Sequence, residues 1–165
     1  MRHSWIIDPS KCTGCKSCEV VCSLYHHNEV NLNKSRIKIV KWEEEGIDVP
    51  VVCQHCEIPL CMENCPTGAL YRDDENTFVS YRKDLCIGCK LCLLTCPCGG
   101  IGLPDDGSIM KCDLCGGDPT CTKFCLTKAI EFMPNSQVGE RQKKKAARVL
   151  IQNRELLDGK NTQPG

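Results

Sequence analysis

The distribution of apolar and polar positions predicts short strands joined by turns, with one helix near each end of the chain. From Arg36 to Trp42 basic and apolar side chains alternate, which is typical of a half-buried strand, and Ile47–Val52 follows a polar turn as its returning partner. The segment 16–28 has helical character. Shorter apolar segments predict strands at 5–7, 69–72, 77–81 and 129–133, with polar turn residues at 73–76. This pattern predicts a small α+β fold.

The segment 134–165 predicts a separate basic, amphipathic helix and tail. Pro134 and Ser136 resemble a helix start and Gly159 a stop, so we expect 137–158 to be mostly helical. On a 3.6-residue period one face carries Arg141, Lys144, Lys145 and Arg148. The opposite face carries Ala146, Val149, Leu150 and Leu157. We expect this helix to dock on another subunit; the alternative is that it folds back over the body of the chain.

The composition indicates that something other than aromatic side chains fills the interior. Aromatic residues are only 5% of the 165 residues, whereas cysteines number 17. Disulfides, zinc, iron–sulfur clusters and catalytic thiols can each explain so many cysteines. The start of the chain, Met1–Trp5, lacks the pattern of a signal peptide, and no apolar stretch approaches membrane-spanning length. We therefore expect a cytoplasmic, metal-filled protein with no membrane span.

Sixteen of the cysteines form four quartets with a repeated spacing. The last gap is three residues in every quartet, while the second gap varies. The third quartet, followed by Pro97, has the spacing of bacterial ferredoxins, in which three cysteines hold one cluster and the fourth reaches another. Zinc sites usually pair two C-x2-C knuckles and do not use a third cysteine in this way, so iron–sulfur clusters are favoured over zinc. The quartets are Cys12, Cys15, Cys18 and Cys22; Cys53, Cys56, Cys61 and Cys65; Cys86, Cys89, Cys92 and Cys96; and Cys112, Cys115, Cys121 and Cys125.

Four residues outside the quartets are candidates for metal binding or redox chemistry. Cys98 is the seventeenth cysteine, and we expect it to act as a small, buried apolar side chain. The alternatives are that Cys98 is a fifth ligand of a cluster or a redox-active thiol. The adjacent His26 and His27 are expected at a solvated helix end, because neighbours in a helix point to different faces. His55 lies within the second quartet, and we expect it at the surface.

The quartets and two further segments resemble a known family. The order of the quartets, the Cys-Pro-Thr-Gly-Ala segment at 65–69 and the Lys-Cys-Asp-Leu-Cys segment at 111–115 are similar to the four-cluster, ferredoxin-like electron-transfer subunits of molybdenum and tungsten oxidoreductases. The resemblance covers about 5–132. Related subunits serve formate dehydrogenases, dimethyl sulfoxide reductases, nitrate reductases, hydrogenases and carbon monoxide dehydrogenases. The chain looks most like the small iron–sulfur subunit of tungsten-dependent aldehyde oxidoreductase complexes.

The resemblance implies a crossed pairing of the quartets in four [4Fe–4S] clusters. It implies two ferredoxin-like modules within 1–133, an inner one at about 36–103 inserted in an outer one at about 1–35 and 104–133. The outer clusters would be held by Cys12, Cys15, Cys18 and Cys125, and by Cys112, Cys115, Cys121 and Cys22. The inner clusters would be held by Cys53, Cys56, Cys61 and Cys96, and by Cys86, Cys89, Cys92 and Cys65. The family pattern has proline where Leu126 stands, which removes no ligand.

The sequence predicts an electron carrier and not an enzyme. Four cysteines per cluster leave no position for substrate, and no nucleophile–base pair or phosphate-binding loop is recognisable. The expected partners are a catalytic molybdenum or tungsten subunit and a further redox subunit, either a flavoprotein, a ferredoxin or another copy of the chain. Alternatives are a hydrogenase, formate dehydrogenase or carbon monoxide dehydrogenase subunit, a free polyferredoxin or, more distantly, a zinc-stapled binding module.

The charge distribution argues against a nucleic-acid partner. Residues 141–160 carry seven basic and two acidic side chains, a charge of +5, so with a net charge of zero the other 145 residues carry −5. Anionic clusters would make this body more negative still, which opposes binding to a polyanion.

Overall fold

The computed structural model describes residues 3–72, 78–104 and 106–158. The predicted turn at 73–76 and the helix stop at Gly159 lie outside these residues, as do the side chains of Lys145 and Leu157. Within the described part, the helices are α1 Ser17–His27, α2 Leu60–Glu63, α3 Leu91–Leu94, α4 Thr120–Lys123 and α5 Asn135–Asp158. The strands are β1 His3–Ile7, β2 Ile37–Trp42, β3 Ile47–Val52, β4 Leu70–Tyr71, β5 Ser80–Tyr81, β6 Ile101–Gly102, β7 Met110–Lys111 and β8 Ile130–Pro134.

The strands form separate two-stranded sheets that connect the cysteine-bearing loops. Strand β1 pairs with β8, while β2–β3, β4–β5 and β6–β7 are successive pairs along the chain. The longest pair, β2–β3, is antiparallel from Ile37 opposite Val52 to Trp42 opposite Ile47, which confirms the alternating pattern there. The β6–β7 pair was not predicted. Its strands contain two residues each, too few for a period-2 pattern to be recognised, and only the turns around Gly99 and Gly107 were visible in the sequence.

The apolar side chains form two core clusters that both include cysteines. The first contains Trp5, Ile37, Val52, Leu114 and Ile130. Its cysteines are Cys18, Cys22, Cys53, Cys112 and Cys121. The second cluster contains Leu70, Val79, Ile101 and Ile109 around Cys92. Each core is small, and thiol groups occupy positions that large apolar side chains fill in most domains.

Polar side chains tie α1 to the neighbouring hairpin. Glu19 is 3% exposed, and its Oε1 accepts a hydrogen bond of 2.7 Å from the backbone N–H of Ile39 on β2. The helix ends where Asn28 adopts a left-handed conformation and its N–H bonds to the carbonyl of Leu24. These contacts fix the position of the cysteine-bearing face of α1.

The chain divides into two units, 5–132 and a second unit of 133–165 with 1–4. In the second unit, α5 confirms the predicted C-terminal helix, and Lys144 forms an ion pair of 2.7 Å with Glu140 one turn earlier. The side chains of Val149, Leu150 and Ile151 are exposed. In the described part of the chain, no helix combines the length and apolar character needed to cross a membrane.

Candidate metal centres

The third cysteine of every quartet lies at the same place in a helix. Cys18, Cys61, Cys92 and Cys121 are each the second residue of their helices, α1 to α4. Four positions later, Cys65, Cys96 and Cys125 each lie two positions beyond the last residue of a four-residue helix, whereas Cys22 lies within the longer α1. The constant spacing thus corresponds to about one helical turn, and in three quartets the helix ends before the fourth thiol is reached.

The loop that carries the first three cysteines uses left-handed backbone conformations in the first and third quartets. In the first quartet Gly14 has φ +62° and Lys16 φ +59°; in the third, Gly88 has φ +68° and Lys90 φ +64°. Such residues turn successive backbone N–H groups toward one side of the loop, and these concave arrangements bind anions, including iron–sulfur clusters. A side chain added at Gly14 would also collide with the carboxylate of Asp48, within 2.6 Å.

The folded chain brings the sixteen quartet cysteines together as four groups of four. Each group lines its own cavity. Two cavities are lined by Cys12, Cys15, Cys18 and Cys125, and by Cys22, Cys112, Cys115 and Cys121. The other two are lined by Cys53, Cys56, Cys61 and Cys96, and by Cys65, Cys86, Cys89 and Cys92. Every cavity thus combines three cysteines of one quartet with the fourth cysteine of another, in the grouping that the family resemblance implies.

The electrostatics of these cavities disfavours charged thiolates that have no compensating positive charge nearby. Burial raises the pKa of Cys18 and of Cys112 to about 12. Burial also raises the pKa of Cys121, and the neighbouring Cys112 and Cys22 raise it further. A positively charged metal core would compensate these thiolates directly, because the thiolate is the form that binds metal.

The donor set of each cavity fits a [4Fe–4S] cluster. All seventeen cysteines are free thiols, so the quartets are not joined by disulfides. A single zinc ion also accepts four thiolates, at Zn–S distances of about 2.3 Å. Backbone N–H groups lie near the sulfur atoms of quartet cysteines: Arg36 N is 3.3 Å from Cys22 Sγ, and Gly100 N is 3.4 Å from Cys96 Sγ.

Cys98 lies in the cavity lined by Cys53, Cys56, Cys61 and Cys96. It is half-buried, and the expectation of a buried apolar side chain is therefore wrong. Burial raises the pKa of Cys98 to about 11, and the adjacent thiol of Cys56 raises it as well. The cavity brings five thiols together, and the short distance from Cys96 along the chain was the one sequence signal of this arrangement.

His26 is placed against the fourth quartet, which sequence reasoning missed. The side chain is only 9% exposed, so the expectation of a solvated position is wrong for His26, although His27 is exposed. The Nε2 atom of His26 lies 3.7 Å from Cys115 Sγ and 3.4 Å from Asp113 Oδ1. Asp113 in turn pairs with Arg36 at 2.5 Å. The imidazole can therefore donate a hydrogen bond to the sulfur of Cys115.

The expectation that His55 is a surface residue is also wrong. Burial, followed by the charge of Lys111, lowers the pKa of His55 to about 3, so the imidazole is neutral. Its Nδ1 lies 3.4 Å from Nζ of Lys111. Its buried Nε2 has no hydrogen-bond partner among the described residues, although His55 lines a cavity that contains four quartet thiols. An unpaired polar atom at this position fits a cavity that holds a polar group.

Comparison with known families identifies the class of protein. The model of the 4Fe-4S dicluster domain matches residues 40–135, and that of the 4Fe-4S binding domain matches residues 5–23. The dicluster match covers more than half of the chain, so the chain belongs to the 4Fe-4S dicluster domain family. The predicted α+β fold with ferredoxin-like iron–sulfur domains is confirmed at this level.

Individual relatives place the chain among subunits of oxidoreductases. The polyferredoxin-like subunit of aliphatic sulfonate oxidoreductase from Pyrococcus furiosus is 42% identical over 73% of this chain and 70% of that protein. A subunit of anaerobic dimethyl sulfoxide reductase from Escherichia coli is 32% identical over 81% of this chain and 74% of that protein. These relatives confirm the prediction of a non-catalytic electron-transfer subunit. One polypeptide of the active site complex BamBC of benzoyl coenzyme A reductase matches 93% of this chain and 97% of its own length, at 25% identity and a TM-score of 0.48.

Proposed function

We propose that the chain carries four [4Fe–4S] clusters and passes single electrons between a catalytic oxidoreductase subunit and a further redox partner. The observation that carries this proposal is the presence of four separate cavities, each lined by four quartet thiols. A cysteine-ligated cluster supplies one-electron redox chemistry when it is bound. With four cysteines per cluster, no coordination position is left for a substrate.

In this proposal the crossed grouping defines two nested modules. Each proposed cluster takes three thiols from one quartet and the fourth thiol from another. The first and fourth quartets exchange their last cysteines in this way, and so do the second and third, so each pair of clusters connects segments that are distant in sequence. The two core clusters support this arrangement, because one contains residues from both ends of 5–132 and the other contains residues between 70 and 109. The side chains of Ile37 and Val52 pack with the outer group, although the sequence places them in the inner module.

The protein side chains and backbone would hold the clusters and exclude water. Backbone N–H groups near Cys22, Cys96 and Cys112 lie within 3.4 Å of the sulfur atoms. Hydrogen bonds of this kind favour the thiolate and, with burial and local charge, set the reduction potential of a bound cluster. The chain would thus supply the cluster ligands, exclude water from the clusters and adjust their reduction potentials by hydrogen bonds and local charge.

For the partner, we propose a molybdenum- or tungsten-containing catalytic subunit. The relatives named for sulfonate oxidoreductase and dimethyl sulfoxide reductase support an oxidoreductase as the partner, and the resemblance of the motifs supplies the choice of molybdenum or tungsten. The resemblance of the motifs favours a tungsten-dependent aldehyde oxidoreductase, with a flavoprotein, a ferredoxin or a second copy of the chain as the other redox partner, working anaerobically in the cytoplasm. The P. furiosus relative makes an oxidoreductase for sulfonates the second candidate.

A reductive titration tests the proposed electron capacity. Anaerobically purified protein titrated with a low-potential reductant should accept about four electrons per chain, one for each cluster. The measurement is the loss of visible absorbance against equivalents of reductant, with the reduced protein followed by electron paramagnetic resonance (EPR). An uptake of two electrons would contradict the four-cluster assignment, and no uptake would contradict electron transfer.

We propose that α5 docks on the catalytic subunit. The helix has exposed apolar residues at Val149, Leu150 and Ile151, and the segment 141–160 carries a charge of +5. An apolar stripe beside basic residues fits an acidic groove on a protein partner.

Truncation after Met133 tests this docking. The shortened protein should keep its full iron content but fail to co-purify with the catalytic subunit, because all sixteen quartet cysteines lie within 5–132. A truncated protein that still co-purifies with the partner would contradict docking through α5. Loss of iron on truncation would instead support a helix that covers the body of its own chain.

A further inference from the structure

Lys111 is a buried positive charge at the end of β7. The residue is 5% exposed, and its Nζ donates hydrogen bonds to the carbonyl oxygens of Val79, at 2.6 Å, and Cys112, at 3.0 Å. In the described part of the chain, no ion pair joins Lys111 to a carboxylate. Burying an ammonium group without an opposite charge is strongly unfavourable, so a compensating anion is expected nearby.

The position of Lys111 identifies that anion. The side chain lines the cavity of Cys53, Cys56, Cys61 and Cys96, and the next residue, Cys112, belongs to a second cavity. A [4Fe–4S] cluster with four thiolate ligands carries a charge of roughly −2 when oxidised and becomes more negative on reduction. Lys111 thus lines one proposed cluster site, and its Nζ contacts the backbone of Cys112, whose side chain lines the second.

His55 adds a contact to only one of these sites. Because the Lys111 ammonium donates and does not accept, Nδ1 of His55 accepts in this contact, and the imidazole proton therefore lies on Nε2. This Nε2–H is the buried donor without a described partner, and His55 lines the cavity of Cys53 but not that of Cys112. Lys111 therefore fixes the tautomer that leaves a donor available to a cluster in the Cys53 cavity.

We propose that Lys111 raises the reduction potentials of both neighbouring clusters, and that His55, oriented by Lys111, raises that of the cluster in the Cys53 cavity by a hydrogen bond. A fixed positive charge stabilises the added electron, and a hydrogen bond to a cluster or ligand sulfur acts in the same direction. The pair makes these two adjacent clusters preferred positions for an electron within the chain. This inference rests on the proposed four-cluster function.

The test is an EPR-monitored redox titration of the complete, anaerobically purified protein. The variant Lys111→Gln keeps a hydrogen-bond donor but removes the charge. At a fixed ambient potential, the ratio of reduced to oxidised cluster should then fall at least about tenfold for both clusters. A tenfold change corresponds to a shift in reduction potential of about 59 mV for one electron. Lys111→Arg should restore ratios close to those of the wild type. His55→Leu should lower the ratio for the Cys53-cavity cluster alone. The matched control Lys144→Gln, on exposed α5, should change none of the clusters.

The two clusters are identified by the signals lost in Cys61→Ser and Cys121→Ser. Unchanged potentials in Lys111→Gln would overturn the inference, and so would equal shifts in Lys111→Gln and Lys111→Arg, because charge would then not be the cause. Loss of iron from both Lys111 variants would make Lys111 a packing residue and would also overturn it. A wild-type protein without iron–sulfur clusters would refute the proposed function itself, whereas four clusters with unmoved potentials would refute this inference alone.

Discussion

Replacing Cys125 with serine is expected to disrupt the cluster built on the first quartet and to spare the cluster built on its own quartet. Cys125 lines the cavity of Cys12, Cys15 and Cys18, more than a hundred residues away in sequence, while the cavity of Cys121 receives Cys22 instead. Serine is a poor ligand for a thiolate-bound cluster, so we expect the iron content to fall by about a quarter, with the loss of one EPR component. The measurement is anaerobic iron analysis with EPR of the reduced protein.

Two matched variants sharpen this prediction. Cys22→Ser should produce the converse result, with loss of the cluster held by Cys112, Cys115 and Cys121. Cys98→Ser should leave the iron content and the spectrum unchanged, because four other thiols already line its cavity. If Cys125→Ser disrupted the cluster on Cys112 and preserved the one on Cys12, the crossed grouping would be wrong.

Removal of iron is expected to unfold the body of the chain. The largest fully buried side chains include Ile37, Leu70, Leu114 and Ile130, which is a thin core for 165 residues. Without metal, the buried thiols in each cavity lose their compensating charge and leave space that no side chain fills. The free energy of unfolding should therefore fall from a typical 5–15 kcal/mol to about zero. Near-ultraviolet circular dichroism and urea titration before and after anaerobic chelation would measure this change.

Reconstitution supplies the control for this experiment. Adding iron and sulfide back to the chelated protein under reducing, anaerobic conditions should restore the near-ultraviolet signal and the cooperative urea transition. An iron-free chain that keeps both would show that its apolar cores suffice for folding, contrary to expectation. The α5 helix makes far-ultraviolet signals alone a poor measure, because helix content can persist when tertiary packing is lost.

The local elements were predictable because their signals lie within short segments. The alternation before Trp42 predicts β2, and the fixed gap between the third and fourth cysteines reflects one helical turn after residues such as Cys92. Loop geometry also follows from sequence, since glycines such as Gly88 can adopt the positive φ that the cysteine loops require. The grouping of quartets is different: spacing alone does not specify which fourth cysteine completes a site, and only the family resemblance implied it.

The contacts that sequence reasoning missed are long-range contacts of single residues. His26 meets Cys115 across 89 positions, and His55 meets Lys111 across 56. A lone histidine has no periodicity that identifies its partner, so a surface position was the expected one in both cases. The burial of Lys111 was equally impossible to predict from the sequence. Lysine is among the residues least often buried, and its strand of two residues is too short to show an alternation of buried and exposed positions.

The most direct test of the four-cluster assignment is the metal and sulfide content of the protein purified without oxygen. We expect about sixteen iron and sixteen acid-labile sulfide per chain, four of each for every cavity, and no stoichiometric zinc. About four zinc ions per chain without sulfide, or iron and sulfide sufficient for only two clusters, would contradict this assignment.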